Sequence, residues 1–142
     1  MLRFTKRADY GLMAIHYIAI HDERAVSAKR IAEEFAIPQE LLAKILQRLA
    51  KQGLIVSQNG PKGGYVLTRR PAEISVGEVV RALEGPINIV SCLEASECPQ
   101  IERCSLRRPV KKLQAAITEM LDTMSLAELT ADDVPELLTI RT

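Results

Sequence analysis

Residues 27–68 read SAKRIAEEFAIPQELLAKILQRLAKQGLIVSQNGPKGGYVLT, and this stretch decides the fold. Ser27 precedes a run in which Ile31 and Phe35 share a face while Glu33 and Glu34 turn to water. That is the pattern of a short helix over 28–35 capped by the serine hydroxyl. The helix ends near Ala36, and Ile37-Pro38 opens another, with proline in the first turn, where its missing N–H is harmless. Leu42, Ile45, Leu46 and Leu49 make one apolar stripe, and Gly53 stops this second helix after Lys51-Gln52. Two β-prone runs follow, Leu54 to Ser57 and Tyr65 to Thr68, on either side of Asn59-Gly60-Pro61-Lys62-Gly63-Gly64, which predicts a hairpin.

Working upstream, Leu12, Ile15, Tyr17, Ile18 and Ala19 recur at three- and four-residue steps between Thr5 and about His21, a first helix with Thr5 as its cap. Three helices and then a hairpin, with about three residues between the second and third helices, predict a mainly α fold with a small β-hairpin: a winged helix-turn-helix. Downstream of Pro71, the run from Ser75 to Leu83 reads as a further short helix capped by Ser75. After Gly85-Pro86 comes a loop holding all the cysteines, and then a long amphipathic segment from about Leu106 to Thr123. Its apolar side carries Val110, Leu113, Ile117, Met120, Leu121 and Met124, more than the short neighbouring elements could cover. A dimerisation helix is the expectation, with ordinary core packing as the alternative. Residues 125–142 carry Leu126, Leu129, Val134 and Leu137 among four acids, a short helix and a tail. The predicted organisation is thus a winged helix-turn-helix at 1–70, a connecting helix and cysteine loop at 71–104, and a dimerisation helix with its tail at 105–142.

The chain has 142 residues, 47% apolar and 26% charged, enough for one domain with an extension. Its net charge of +1 excludes a uniformly basic coat and an acidic tail protein, but hides an asymmetry. Residues 1–70 hold twelve basic and six acidic groups, net +6, whereas residues 71–142 hold seven and twelve, net −5. No apolar run approaches the roughly 18 residues needed to span a bilayer. The start, MLRFTKRADYG, lacks the apolar core of a secretory signal, so a cytoplasmic location and no membrane partner are expected. No nucleophile with a nearby base stands out, and His16 and His21 lie on or beside a helix that reads as structural, so no enzyme is expected.

The basic half has a use for its charge. With its stripe turned inward, the second helix of the pair presents Gln39, Glu40, Ala43, Lys44, Gln47 and Arg48. Such a helix lays polar side chains in the major groove of double-stranded DNA. Gln39 can pair bidentately with adenine, and Lys44 and Arg48 suit phosphate or guanine. The hairpin tip, with Asn59, Lys62 and Gly63, combines glycines that allow close backbone approach with one apical lysine, as a minor-groove wing requires. No strand-to-helix junction follows Gly64, which argues against a nucleotide-binding loop. Arg3, Lys6 and Arg7 at the start of the first helix can add phosphate contacts.

Cys92, Cys98 and Cys104 are separated by two equal gaps of five residues. An odd count in a reducing compartment argues against a disulfide framework, and neither gap is the C-x-x-C of a zinc ribbon. Three thiolates on an irregular loop suit an iron-sulfur cluster with a fourth ligand from elsewhere. A thiol sensor without metal and inert thiols are the alternatives, as is an electron or cluster carrier, although a carrier has no use for a wing.

The segments TKRADYGLMAIHYIA, NGPKGGYVL and SVGEVVRALEG, together with the cysteine spacing, make the chain resemble the Rrf2 family of bacterial winged-helix regulators up to about Leu129. The resemblance implies a homodimer on a partly palindromic operator, joined by the long helix, with each cysteine loop near the DNA-binding part of the partner. It also implies that Cys92, Cys98 and Cys104 are cluster ligands. IscR-like members complete a 2Fe-2S site with a histidine three residues after the last cysteine; here that position is Arg107, which cannot ligate while charged. NsrR-like members complete a 4Fe-4S site with an aspartate from the partner's first helix, and Asp9 occupies that place. By this resemblance a 4Fe-4S cluster with Asp9 in trans is favoured over 2Fe-2S, with solvent, Glu94, Glu97 or Glu102 as alternative ligands. As a first-turn acid, Asp9 also has a purely electrostatic role open to it.

Overall fold

The computed structural model describes residues 3–21, 23–89, 103 and 105–130. Helix α1 (Lys6–Ile20) is capped by Thr5, whose hydroxyl accepts the Ala8 N–H at 3.1 Å. Helix α2 (Ala28–Phe35) is capped by Ser27 in the same way and ends at Ala36, which turns left-handed with φ 53°. Helix α3 (Gln39–Lys51) follows, and strands β1 (Ile55–Gln58) and β2 (Gly64–Leu67) form the antiparallel hairpin, Ile55 opposite Leu67 and Gln58 opposite Gly64. After one 3-10 turn at Pro71–Glu73 come α4 (Val76–Glu84), α5 (Arg107–Thr123) and the short α6 (Leu126–Thr130).

The first three helices stand where their caps and apolar spacing put them. Pro38 is the N-cap of α3 rather than a member of its first turn, and each strand begins one residue away from its expected position. Both shifts are of the size at which helix and strand ends fray. Val26 joins the hairpin, a pairing that leaves no periodic signal in the sequence. Its N–H and carbonyl pair with Tyr65 at 3.0 and 2.8 Å, so the segment before α2 adds one bridge to the outer edge of β2.

One core unites these elements. Ala14, Ile15 and Ile18 of α1 meet Leu42, Ile45, Leu46 and Leu49 of α3, with Val79 and Leu83 of α4 closing the far side. Gly11 lets α4 come close, since a Cβ there would strike the Leu83 side chain. Tyr17 holds α2 against α1, with Phe35 edge-on at 5.6 Å and the Arg30 guanidinium 5.7 Å above its ring. The histidines are structural here: His21 stacks on Tyr17 at 4.2 Å, and His16 Nε2 lies 3.0 Å from the Leu129 carbonyl.

Helix α5 is attached differently. Leu126, just beyond it, is fully buried, and the chain there bridges back: the Val76 N–H donates to Met124 and the Leu126 N–H to Ile74, both at 2.8 Å. Gly77 of α4 faces Asp122 of α5 so closely that a Cβ would collide with the carboxylate, which in turn holds Arg81 at 2.6 Å. No residue of α5 itself is buried, and Leu106, Leu113 and Met120 are 63, 51 and 55% exposed.

Helix α4 starts with a full capping box: Ser75 Oγ accepts the Glu78 N–H, and the Glu78 carboxylate accepts the Ser75 N–H at 2.9 Å. That carboxylate also accepts from Arg69 at 2.8 Å. Burial alone would push the Glu78 carboxyl up, but the Ser75 N–H, the Arg69 hydrogen bond and the charges of Arg69 and Arg81 hold it below its ordinary value. A carboxyl lowered on folding stabilises the protein at neutral pH, and that contribution disappears as pH falls through the lowered value. Denaturant midpoints measured between pH 6 and 3 should therefore fall less steeply in Glu78→Gln than in the wild type. Parallel profiles would show that the carboxylate contributes nothing.

Candidate nucleic-acid interface

Two features turn one side of α3 to the surface. The left-handed Ala36 reverses the chain after α2, with the Ile37 N–H returning to the Ala32 carbonyl at 3.0 Å. Meanwhile the four-residue stripe of α3 is buried, from 0 to 1% exposed, so the opposite side must face outward. Gln39, Glu40, Lys44, Gln47 and Arg48 are exposed there and Ala43 is half-buried, as the spacing predicts. Leu41 and Lys51 are also exposed, outside the outward set that the stripe spacing predicts.

The hairpin stands beside this helix because its base is tied at two points. Thr68 Oγ1 donates to the Gly53 carbonyl at 2.6 Å, fastening the end of β2 to the end of α3. On the other side Gly64 lies against the Val26 backbone, where a Cβ would overlap the peptide. Asn59, Gly60, Pro61 and Lys62 form the exposed tip. Gly60 at φ 119° accepts the Gly63 N–H at 2.9 Å, and a Cβ on Gly63 would meet the carbonyl oxygens of Gln58 and Gly60. The tip is thus a tight turn that glycine alone accommodates at these positions.

The cations fall into two groups. Arg7 pairs with Glu84 at 3.2 Å, Arg69 with Glu78, Arg70 with Glu73 and Arg81 with Asp122. Among the described residues, Arg3, Lys6, Lys44 and Lys62 enter no ion pair and all are exposed, so their charge remains available to a polyanion. Arg48 enters no ion pair among those residues either, but its Nε donates to the Ala82 carbonyl of α4 at 2.9 Å.

Cys92, Cys98 and Cys104, with Glu94, Glu97 and Glu102, lie outside the described residues. Asp9 is exposed on the first turn of α1 and enters no ion pair among the described residues. Those residues contain no group of three or more His, Cys, Asp or Glu that converges on a metal-sized site. Close to the start of α1 opens an apolar cleft of about 550 Å³, floored by Phe4, Val80, Ile87, Ile117, Met120 and Leu121. The Thr5 hydroxyl donates to Glu84 at its rim.

A family described as an iron-dependent transcriptional regulator, Rrf2, matches residues 4–132. An HTH-type transcriptional regulator NsrR from Geobacillus kaustophilus is 34% identical over 134 residues, covering 92% of this chain and 91% of its own length. Among solved structures, CymR, the global cysteine regulator of B. subtilis, superposes with a TM-score of 0.78 at 30% identity over 94% of this chain and all of its own. IscR of T. potens superposes with a TM-score of 0.73 at 30% identity, covering 97% and 96%. These likenesses cover more than nine-tenths of the chain, and the family, NsrR and CymR are all named as regulators rather than enzymes. With a mainly α winged-helix fold and a family match over nearly every residue, the chain belongs to the Rrf2 family of transcriptional regulators.

Proposed function

We propose that the protein is a cytoplasmic transcriptional regulator that grips double-stranded DNA as a homodimer and senses its signal through an iron-sulfur cluster. The observation that carries the DNA part is the pairing of an outward-facing α3 with a tightly turned wing, whose exposed Lys44 and Lys62 enter no ion pair among the described residues. Gln39, Glu40, Ala43 and Lys44 then meet base edges and phosphates in the major groove, Asn59, Lys62 and Gly63 enter the minor groove, and Arg3 and Lys6 hold the flanking backbone. The working units are the reading domain at 1–70, the connecting and ligand-bearing stretch at 71–104 and the dimerising stretch at 105–142.

Dimerisation is supported by α5. Leu106, Val110, Leu113, Ile117, Met120 and Met124 alternate at four- and three-residue steps, the spacing of a helix seam, and three of the six are more than half exposed. A second copy of the same helix covers such a stripe and places two reading helices on two half-sites of a partly palindromic operator.

For the sensor, three thiolates and an exposed carboxylate make a chemically fitting donor set, soft and anionic. Cys92, Cys98 and Cys104 would hold the cluster, with Asp9 of the second protomer completing a 4Fe-4S site; 2Fe-2S is the alternative. When bound, such a cluster supplies iron that reacts with oxygen or nitric oxide and is lost under iron shortage. Asp9 sits on α1, whose other side packs on α3, so anchoring the Asp9 carboxylate bears on the element that supports the reading helix. The names of the NsrR and IscR relatives and the iron-dependent family description favour this reading. The likeness to CymR, whose Staphylococcus aureus form is also solved in an oxidized state, favours a second one, in which the cysteines act without metal.

Three measurements test these readings. Lys62→Ala should weaken binding to all duplexes alike and lower the salt slope by about 0.9, the share of one phosphate contact; an unaltered slope would remove the wing from the interface. Met120→Glu should convert a sedimenting dimer into monomers, because it buries a charge in the seam; a dimer that persists would locate the interface elsewhere. Protein purified without air should contain iron and acid-labile sulfide, lose both in Cys98→Ala, and bind an operator with different affinity before and after cluster removal. Iron-free protein with redox-dependent binding would instead establish the thiol reading.

A further inference from the structure

Helix α4 has an open carbonyl that its own sequence cannot close. In a helix the Ala82 carbonyl would accept from the N–H four residues on, but that residue is Pro86, which has none. The chain leaves the helix here in any case: Gly85, at φ 80°, caps α4 by donating to Arg81. Ala82 is buried, 7% exposed, so water is a poor substitute. An unmatched buried carbonyl is costly.

The missing donor comes from the reading helix. Arg48, in the last turn of α3, lays its Nε–H on the Ala82 carbonyl at 2.9 Å in a partly buried contact. Its positive charge also sits against the negative end of the α4 dipole. Through this contact the C-terminal turn of α3 is pinned to α4. Helix α4 is clamped in turn to α5 by the Arg81–Asp122 pair and the close approach at Gly77.

We infer that Arg48 is a positioning residue rather than a DNA contact: by capping α4 it fixes the angle at which the reading helix enters the groove. This rests on the DNA-binding reading given above and assigns a different duty to one cation on its surface. A side chain spent in this way contributes to the ratio of specific to non-specific affinity, since that ratio depends on aim. It does not contribute to the number of phosphates neutralised.

Two substitutions separate aim from charge. In Arg48→Gln the side-chain amide nitrogen occupies the same place along the chain as arginine Nε, so the donor to Ala82 remains while the charge is gone. In Arg48→Met both donor and charge are lost. Duplexes are selected from a random pool on the wild-type protein, and each variant is titrated with the selected duplex and with an unselected one over a range of salt.

The expected result is that Arg48→Met lowers the specific-to-non-specific ratio about tenfold, the scale of one hydrogen bond. Arg48→Gln should restore the ratio, and the salt slope should equal the wild type's in both variants. If both variants lose about 0.9 from the slope and weaken on both duplexes equally, Arg48 is a phosphate contact and the inference is overturned. It is overturned as well if the ratio is unchanged in Arg48→Met. No enriched duplex with the wild-type protein would instead overturn the DNA-binding reading itself, and this inference with it.

Discussion

Burial of the stripe Leu42, Ile45, Leu46 and Leu49 is the interaction on which the other parts of the structure depend. Each side chain is worth about 1.5–3 kcal/mol when removed from water, so the four together are comparable with the whole net stability of a domain this size. That burial fixes the rotation of α3 about its axis, and the rotation decides which residues look outward. It also dictates the neighbours: α1 supplies Ile15 and Ile18, α4 supplies Val79 and Leu83, and Gly11 is small where α1 and α4 must meet. The polar surface of the reading helix is therefore a by-product of packing on its far side.

Helix α4 is the joint of the molecule. Its N-terminal end is closed by a capping box that also receives Arg69 from the segment after the wing, its middle touches α5 at Gly77, and its C-terminal end receives Arg48 from α3. Three separate parts of the chain thus converge on nine residues. Polar contacts at both ends make the joint directional, which apolar packing alone would not achieve, because hydrogen bonds tolerate little change in angle.

Much of this was legible in the sequence because punctuation coincided with periodicity. Ser27, Ala36-Ile37-Pro38 and Gly53 bracket two amphipathic runs, and Ser75 with Glu78 announces α4, so these helices lie where the residues put them. The Val26 bridge was not legible, since a single pair of backbone bonds leaves no period. Nor was the engagement of Arg48, whose reason is a proline 38 positions further on. The surface of α3 and the hairpin tip were readable from charge and glycine content. The proposed sulfur ligands fall outside the described residues, so their sequence spacing remains the basis for assigning them.

The Val26 bridge has a further consequence for how the protein behaves in a crowded cell. An exposed strand edge invites pairing with another molecule, and a two-stranded ribbon has two of them. Here one edge is interrupted by Val26, and the other belongs to β1, four residues long and ending in Ser57 and Gln58. Neither side offers a long apolar ladder, so the ribbon can project from the body without templating the sheet-to-sheet aggregation that flat, unguarded strands promote.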